Sequence, residues 1–176
     1  MAIVVTQLSP CAAALVWILI ERVRFGQPSA LGFATGAIAG LAAITPAAGS
    51  VGPIGALVIG ATAGAVCWWA SVVLKNKLGY DDALDVVGVH GVGGLIGTLM
   101  VAFFGAPALG GIVEGMNMGK QFGIQAMASG ITIVYCGIVT IVILKAIDLT
   151  IGLRIDEEGE MMGLDLTEHE EVGYDF

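Results

Sequence analysis

Residues 81–97 read DDALDVVGVHGVGGLIG, and the rest of the chain is understood from this stretch. One histidine, His90, stands in a run otherwise built of valine, leucine, isoleucine and glycine. Helical spacing places it on one face with Val86 and Val87 before it and Gly93, Gly94 and Gly97 after it. Gly88, Gly91, Gly94 and Gly97 also recur every third residue. Small residues so spaced let a neighbouring backbone come close. The pattern therefore predicts a His90 that points into packed protein or a narrow cavity, away from lipid. Asp81, Asp82 and Asp85 stand just ahead of the apolar run, where the positive end of a helix dipole favours carboxylates.

The composition says what surrounds this stretch. Of 176 residues, 57% are hydrophobic and only 12% charged, with a mean hydropathy of +0.92. A soluble domain carries roughly a quarter charged residues. The chain is therefore read as an all-α, polytopic membrane helix bundle. Its net charge of −8 is unevenly placed. Residues 1–154 hold all seven Lys and Arg against six acids, and residues 155–176 hold nine acids and no base. Two regions follow, a transmembrane domain over 1–154 and an acidic tail over 155–176. The acidity belongs to the tail, and no basic patch points to nucleic acid.

Five segments approach the ~20 apolar residues that a spanning helix needs: residues 3–23, 29–44, 55–74, 84–104 and 122–149. Turn-forming stretches separate them, such as TPAAGSVGP at 45–53 and the Gly-rich loop at 105–120. Arg22, Arg24, Lys75, Lys77, Lys145 and Arg154 fall at one set of span ends and Lys120 at the other. By the positive-inside rule the N-terminus of the chain is expected outside and the tail in the cytoplasm. Gly32, Gly36 and Gly40, like Gly60 and Gly64, repeat at four-residue spacing and predict close helix packing. The N-terminus has no basic residue ahead of its apolar run and does not read as a signal peptide.

Cys11, Cys67 and Cys136 lie far apart and lack metal-ligand spacing, so no disulfide framework, metal site or cofactor is expected. All three read as small buried hydrophobes. His169 stands among Glu168, Glu170 and Glu171 and reads as a solvated side chain, and the tail composition allows disorder. His90 is different. Ionisable residues within a span are rare and are functional candidates by default. A neutral imidazole offers one donor and one acceptor nitrogen, which suits a small polar passenger. A structural histidine bonded to a backbone carbonyl remains the plain alternative.

The segment DDALDVVGVHGVGG resembles the signature of the ammonium transporter family, which includes the Amt, Mep and Rhesus proteins. SALGFATGAIAGLAAITPAAG at 29–49 and the tail from GLRIDEEGE to HEEVGYDF are similar to the same family. The resemblance runs nearly end to end, across the second half of a usual member. It implies five transmembrane helices corresponding to the second half of an eleven-helix, inverted-repeat transporter. It also implies ammonium or ammonia transport, and no enzymatic activity, through a hydrophobic pore lined by a histidine pair. His90 matches one member of that pair, Val86 a pore-lining position, and Thr35 a small hydroxyl position near the cytoplasmic end. Asp85 matches a structural position near the pore, bonded to a helix end. The implied partners are the lipid bilayer, sister subunits of a homotrimer and a PII-type regulatory protein at the cytoplasmic tail.

The partner histidine, phenylalanine gate and outer aromatic site belong to the absent half. Trp68, Trp69, Phe103 and Phe104 do not match those positions. Met1 shortly before the family-like TQL at 6–8 reads as a truncated or split reading frame. A non-transporting regulatory or remnant membrane protein is the alternative reading. A haem-ligating subunit would need a second axial histidine at membrane depth.

Overall fold

α1 (Ala2–Phe25) forms over an almost unbroken apolar run and stops at Gly26, whose φ of 82° is the left-handed cap that glycine takes without steric cost. α2 (Ala30–Ile44) begins where the Ser29 side chain accepts from the Gly32 amide. α3 (Pro53–Leu78) starts with proline at its first turn, where the missing N–H costs nothing. α4 (Val86–Phe104), α5 (Met118–Thr150) and two short tail helices, α6 (Glu157–Met162) and α7 (Leu164–Thr167), follow. These elements belong to a computed structural model, which describes residues 1–173. The sequence expectations for 174–176, the end of the acidic tail, lie outside the described residues.

The architecture is an all-α, multi-spanning bundle. Among the described residues, four helices, α1, α3, α4 and α5, are long and apolar enough to cross a membrane. α2 is apolar but has only 15 residues, shorter than the expected span. Its apolar run ends in the turns at 45–50, just before Pro53. α3 and α5 extend past their expected ends. α5 has 33 residues, about 50 Å of helix.

The chain divides into two compact units, residues 1–130 and 131–173. In the first unit, α1 packs against both α2 and α3 through glycine stripes. A Cβ on Gly36 would stand 2.7 Å from Trp17 Cβ, and one on Gly40 2.5 Å from Pro10 Cα. On the other side, a Cβ on Gly60 would collide with the Ser9 carbonyl and one on Gly64 would lie 2.5 Å from the Ala13 carbonyl. The predicted stripes are therefore real close-approach surfaces. Lipid tails are as apolar as leucine, so such contact and interhelical hydrogen bonds replace the hydrophobic drive of water. Ser9 supplies one such bond, its hydroxyl donating to the Gly40 carbonyl at 2.9 Å.

Charge is buried once in this packing. Glu21 is 9% exposed in the last turns of α1. Its carboxylate accepts from the Ser29 amide at 2.7 Å, the Ser29 hydroxyl at 3.3 Å and Trp17 Nε1 at 3.2 Å. Ser29 in turn caps α2, so Glu21 ties the end of α1 to the start of α2.

The second unit holds the rest of α5 and the tail. Among the described residues α5 buries none of its own side chains. The tail is helical where composition allowed disorder, because Asp156 caps α6 by accepting from the Gly159 amide at 2.8 Å. His169 is exposed, as its sequence context suggested. Arg154 grips Glu160 through two hydrogen bonds of 2.8 and 2.9 Å. The guanidinium holds the Glu160 carboxyl below the usual glutamate range. A lowered folded-state value means the contact stabilises fully above the unfolded glutamate pKa of about 4.3 and fades as pH falls through the lowered value. Amide exchange over 157–162, corrected for intrinsic rates, is expected to lose protection on acidification. Glu160→Gln is expected to flatten that dependence, and an unchanged pH response in the variant counts against the pair.

The cysteines divide. Cys67 is buried and its thiol lies 3.8 Å from the Val89 carbonyl. Cys11 and Cys136 are exposed, against expectation, because they sit on helix faces that no other described segment covers.

Candidate functional site

His90 stands in a wide π-helical turn, Val86–Gly91, that opens α4. π turns are rare and are frequently found at functional sites. The expectation put His90 on one stripe with Gly93 and Gly97. The structure puts Val89 there instead, since Val89, Gly93, Gly97 and Val101 form the buried stripe of α4 at four-residue spacing. The wider turn supplies the reason: it carries more than 3.6 residues, so the inward position falls one residue early. His90 and Val86 are both exposed on this chain, four residues apart on the same side of the turn. The chain alone thus does not bury His90 as its spacing predicted.

The buried stripe explains how the turn is held. A Cβ on Gly93 would lie 3.3 Å from Ala42 Cβ and 3.4 Å from Cys67 Sγ, so α4 meets α2 and α3 there. Gly97 lies directly beneath the Ala43 carbonyl. Thr35 is half-buried on α2 and its hydroxyl donates to the Leu31 carbonyl at 2.9 Å. That bond uses the proton and leaves oxygen lone pairs able to accept.

The acids share their work differently from the expectation. Asp82, expected at the start of the helix, accepts from the amides of Val86 at 2.8 Å and Val87 at 2.9 Å, two of the free N–H groups that begin α4. Asp85, expected to bond a helix end, pairs with Lys75 through its carboxylate. Asp85 also takes a left-handed backbone, φ 53°, which aspartate tolerates better than most residues. Its carbonyl still accepts from the Val89 amide at 2.8 Å. The turn therefore has one carboxylate capping it and another anchoring it.

Comparison with known proteins places this arrangement. The profile described as the Ammonium Transporter Family matches residues 1–174. The chain belongs to the ammonium transporter family. An ammonium transporter of Mycobacterium bovis is 47% identical over 182 residues, covering 98% of this chain and 38% of that protein. One from Bacillus subtilis is 43% identical, covering 98% and 44%. Among solved structures, a sensor Amt protein superposes with a TM-score of 0.86 at 28% identity, over 96% of this chain and 41% of that one. Saccharomyces cerevisiae Mep2 gives 0.79 at 33% identity, over 89% and 37%. The chain thus spans about two fifths of the length of the relatives it matches. Proteins of the ammonium transporter family are transporters or channels, not enzymes.

Sequence reasoning missed one residue of this region, Lys75, and another at the α1–α2 junction, Glu21. Lys75 counted only toward topology, and Glu21 drew no attention. Each had a signal: a lysine ten residues ahead of an aspartate across a short loop, and an acid four residues after a tryptophan within an apolar helix.

Proposed function

We propose that this chain is the C-terminal half of a transporter that carries ammonium or ammonia across the membrane through a hydrophobic, histidine-lined pore. The N-terminal half of that transporter completes the pore. The observation that carries the reading is the exposed face of the opening turn of α4, where His90 and Val86 stand together in the family's own motif. That face becomes a pore wall when another half covers it, which accounts for a polar side chain left open on an apolar helix. In the inverted-repeat design the substrate path lies between the two halves. Five spans, α1 to α5, then correspond to the last five of eleven, with α2 as a short span.

In such a pore an ion with no hydration is costly, whereas hydrogen-bonding groups lower the barrier for a small polar passenger. His90 presents one donor and one acceptor to it. Val86 keeps the path apolar, and Thr35 offers an accepting oxygen near the cytoplasmic mouth. Asp85 acts structurally, through Lys75. The basic span ends put the N-terminus of this chain outside and the tail inside. Assembly as a homotrimer, and docking of a PII-type regulator on the acidic tail, complete the reading.

The test is uptake of labelled methylammonium by cells without other ammonium transporters, expressing the intact gene product. Saturable uptake competed by ammonium is expected. Accumulation in the membrane without uptake rules out transport and favours a regulatory membrane protein.

A further inference from the structure

α3 touches the opening turn of α4 at three positions spaced by four residues. Cys67 lies against the Val89 carbonyl, Ser71 lies directly over Gly88, and Lys75 reaches Asp85. Ser71 sits in a second π-helical turn, Trp69–Leu74, so two wide turns face each other. Rewinding one toward α-helical geometry would rotate the residues beyond it by about 100° per residue. Two of the three contacts bring no strong hydrogen bond against such a rotation. The thiol at 3.8 Å is weak, and the Ser71 hydroxyl is buried with no hydrogen-bond partner among the described residues. A glycine beneath it offers no side chain to grip.

Lys75 can resist it. It directly follows one π turn and Asp85 directly precedes the other. Its ammonium donates both to the Asp85 carboxylate and to the Asp82 carbonyl, the latter at 3.1 Å. Asp82 holds the first two amides of the second turn. One charged group therefore clamps both residues that set the start of the turn, at the end where it would begin to rewind. His90 lies one residue after Val89, the inward end of the same set of contacts.

We propose that Lys75 is a positioning residue for His90, holding the two π turns in register so that the imidazole keeps its place on the exposed face of α4. The inference rests on the pore role given to His90 above, but its central readout does not. That readout is the rate at which diethylpyrocarbonate modifies His90 in the intact protein, with His169→Ala removing the chain's other histidine.

Lys75→Met is expected to change the His90 modification rate severalfold and to lower methylammonium flux about tenfold, the scale of a misplaced group. Membrane yield should stay near that of the parent. Lys75→Arg, which keeps the charge, should restore both values, and Asp85→Asn should reproduce the Lys75→Met effect. Should Lys75→Met fail to accumulate, the Asp85→Asn and Lys75→Arg pair decides the matter by the same readout. Unchanged His90 reactivity in both Lys75→Met and Asp85→Asn, or in Asp85→Asn where only that variant accumulates, overturns the inference, even if flux falls. Failure of the transport reading looks different: His90→Ala would leave flux intact while Lys75→Met still altered His90 reactivity.

Discussion

His90→Ala in the completed transporter is expected to reduce methylammonium flux by about tenfold to a hundredfold while the protein reaches the membrane in normal amount. The magnitude follows from what alanine removes. An imidazole gives a passenger one donor and one acceptor, and each such bond in an apolar channel is worth roughly 1–2 kcal/mol net. At about 1.4 kcal/mol per factor of ten, losing one or both raises the barrier by that range. The substitution is also well suited to the purpose. His90 is exposed on this chain beside the buried Val89. Folding of α4 depends on Val89, Gly93 and Gly97 and should survive the change. Flux and selectivity both unchanged would remove His90 from the pore.

Glu21→Ala is expected to have the largest effect on stability, about 3–5 kcal/mol, read as a lowered melting temperature of the detergent-solubilised protein. Three donors converge on that carboxylate: the Ser29 amide, the Ser29 hydroxyl and Trp17 Nε1. Alanine would leave them in a site that is nearly closed, since Gly32 of α2 lies hard against the Glu21 carboxylate. Unmade hydrogen bonds in such a place cost more than made ones contribute, because no water substitutes. The loss would also reach α2, whose capping serine is held by the same group. Glu21→Gln keeps an acceptor oxygen and should cost less than alanine. A melting temperature for Glu21→Ala equal to that of the parent would mean that the α1–α2 junction is held by its glycine contacts alone.

Much of the fold could be read from the residues because membranes narrow the choices. A backbone in lipid must satisfy its own hydrogen bonds, so long apolar runs become helices. That reasoning found α1, α3, α4 and α5 and bounded them to within a few residues, and it found the glycine stripes that let α1 lie against α2 and α3. The family was likewise visible in the motif around His90.

The candidate site was named from the sequence, but its geometry was not legible there. Helical periodicity assumes 3.6 residues per turn, and no pattern of glycines announces that residues 86–91 take a wider one. The stripe therefore shifted by one residue, from His90 to Val89. The pairing of Asp85 with Lys75 was hidden for a similar reason. Asp82 and Asp85 both precede the same helix, and only the left-handed backbone at Asp85 decides which carboxylate reaches the amides and which turns to Lys75.

By itself, the sequence determined a membrane-spanning helical bundle of the ammonium transporter family, with one ionisable residue in the midst of an apolar span. The tertiary structure alone decided which way that residue faces and which charges stand at the start of its turn. The reason is physical. Hydrophobic runs and small-residue spacing are properties of single helices, written along the chain. The buried Glu21 junction and the Lys75–Asp85 pair each depend on groups from two segments meeting, and that meeting exists only once the chain has folded.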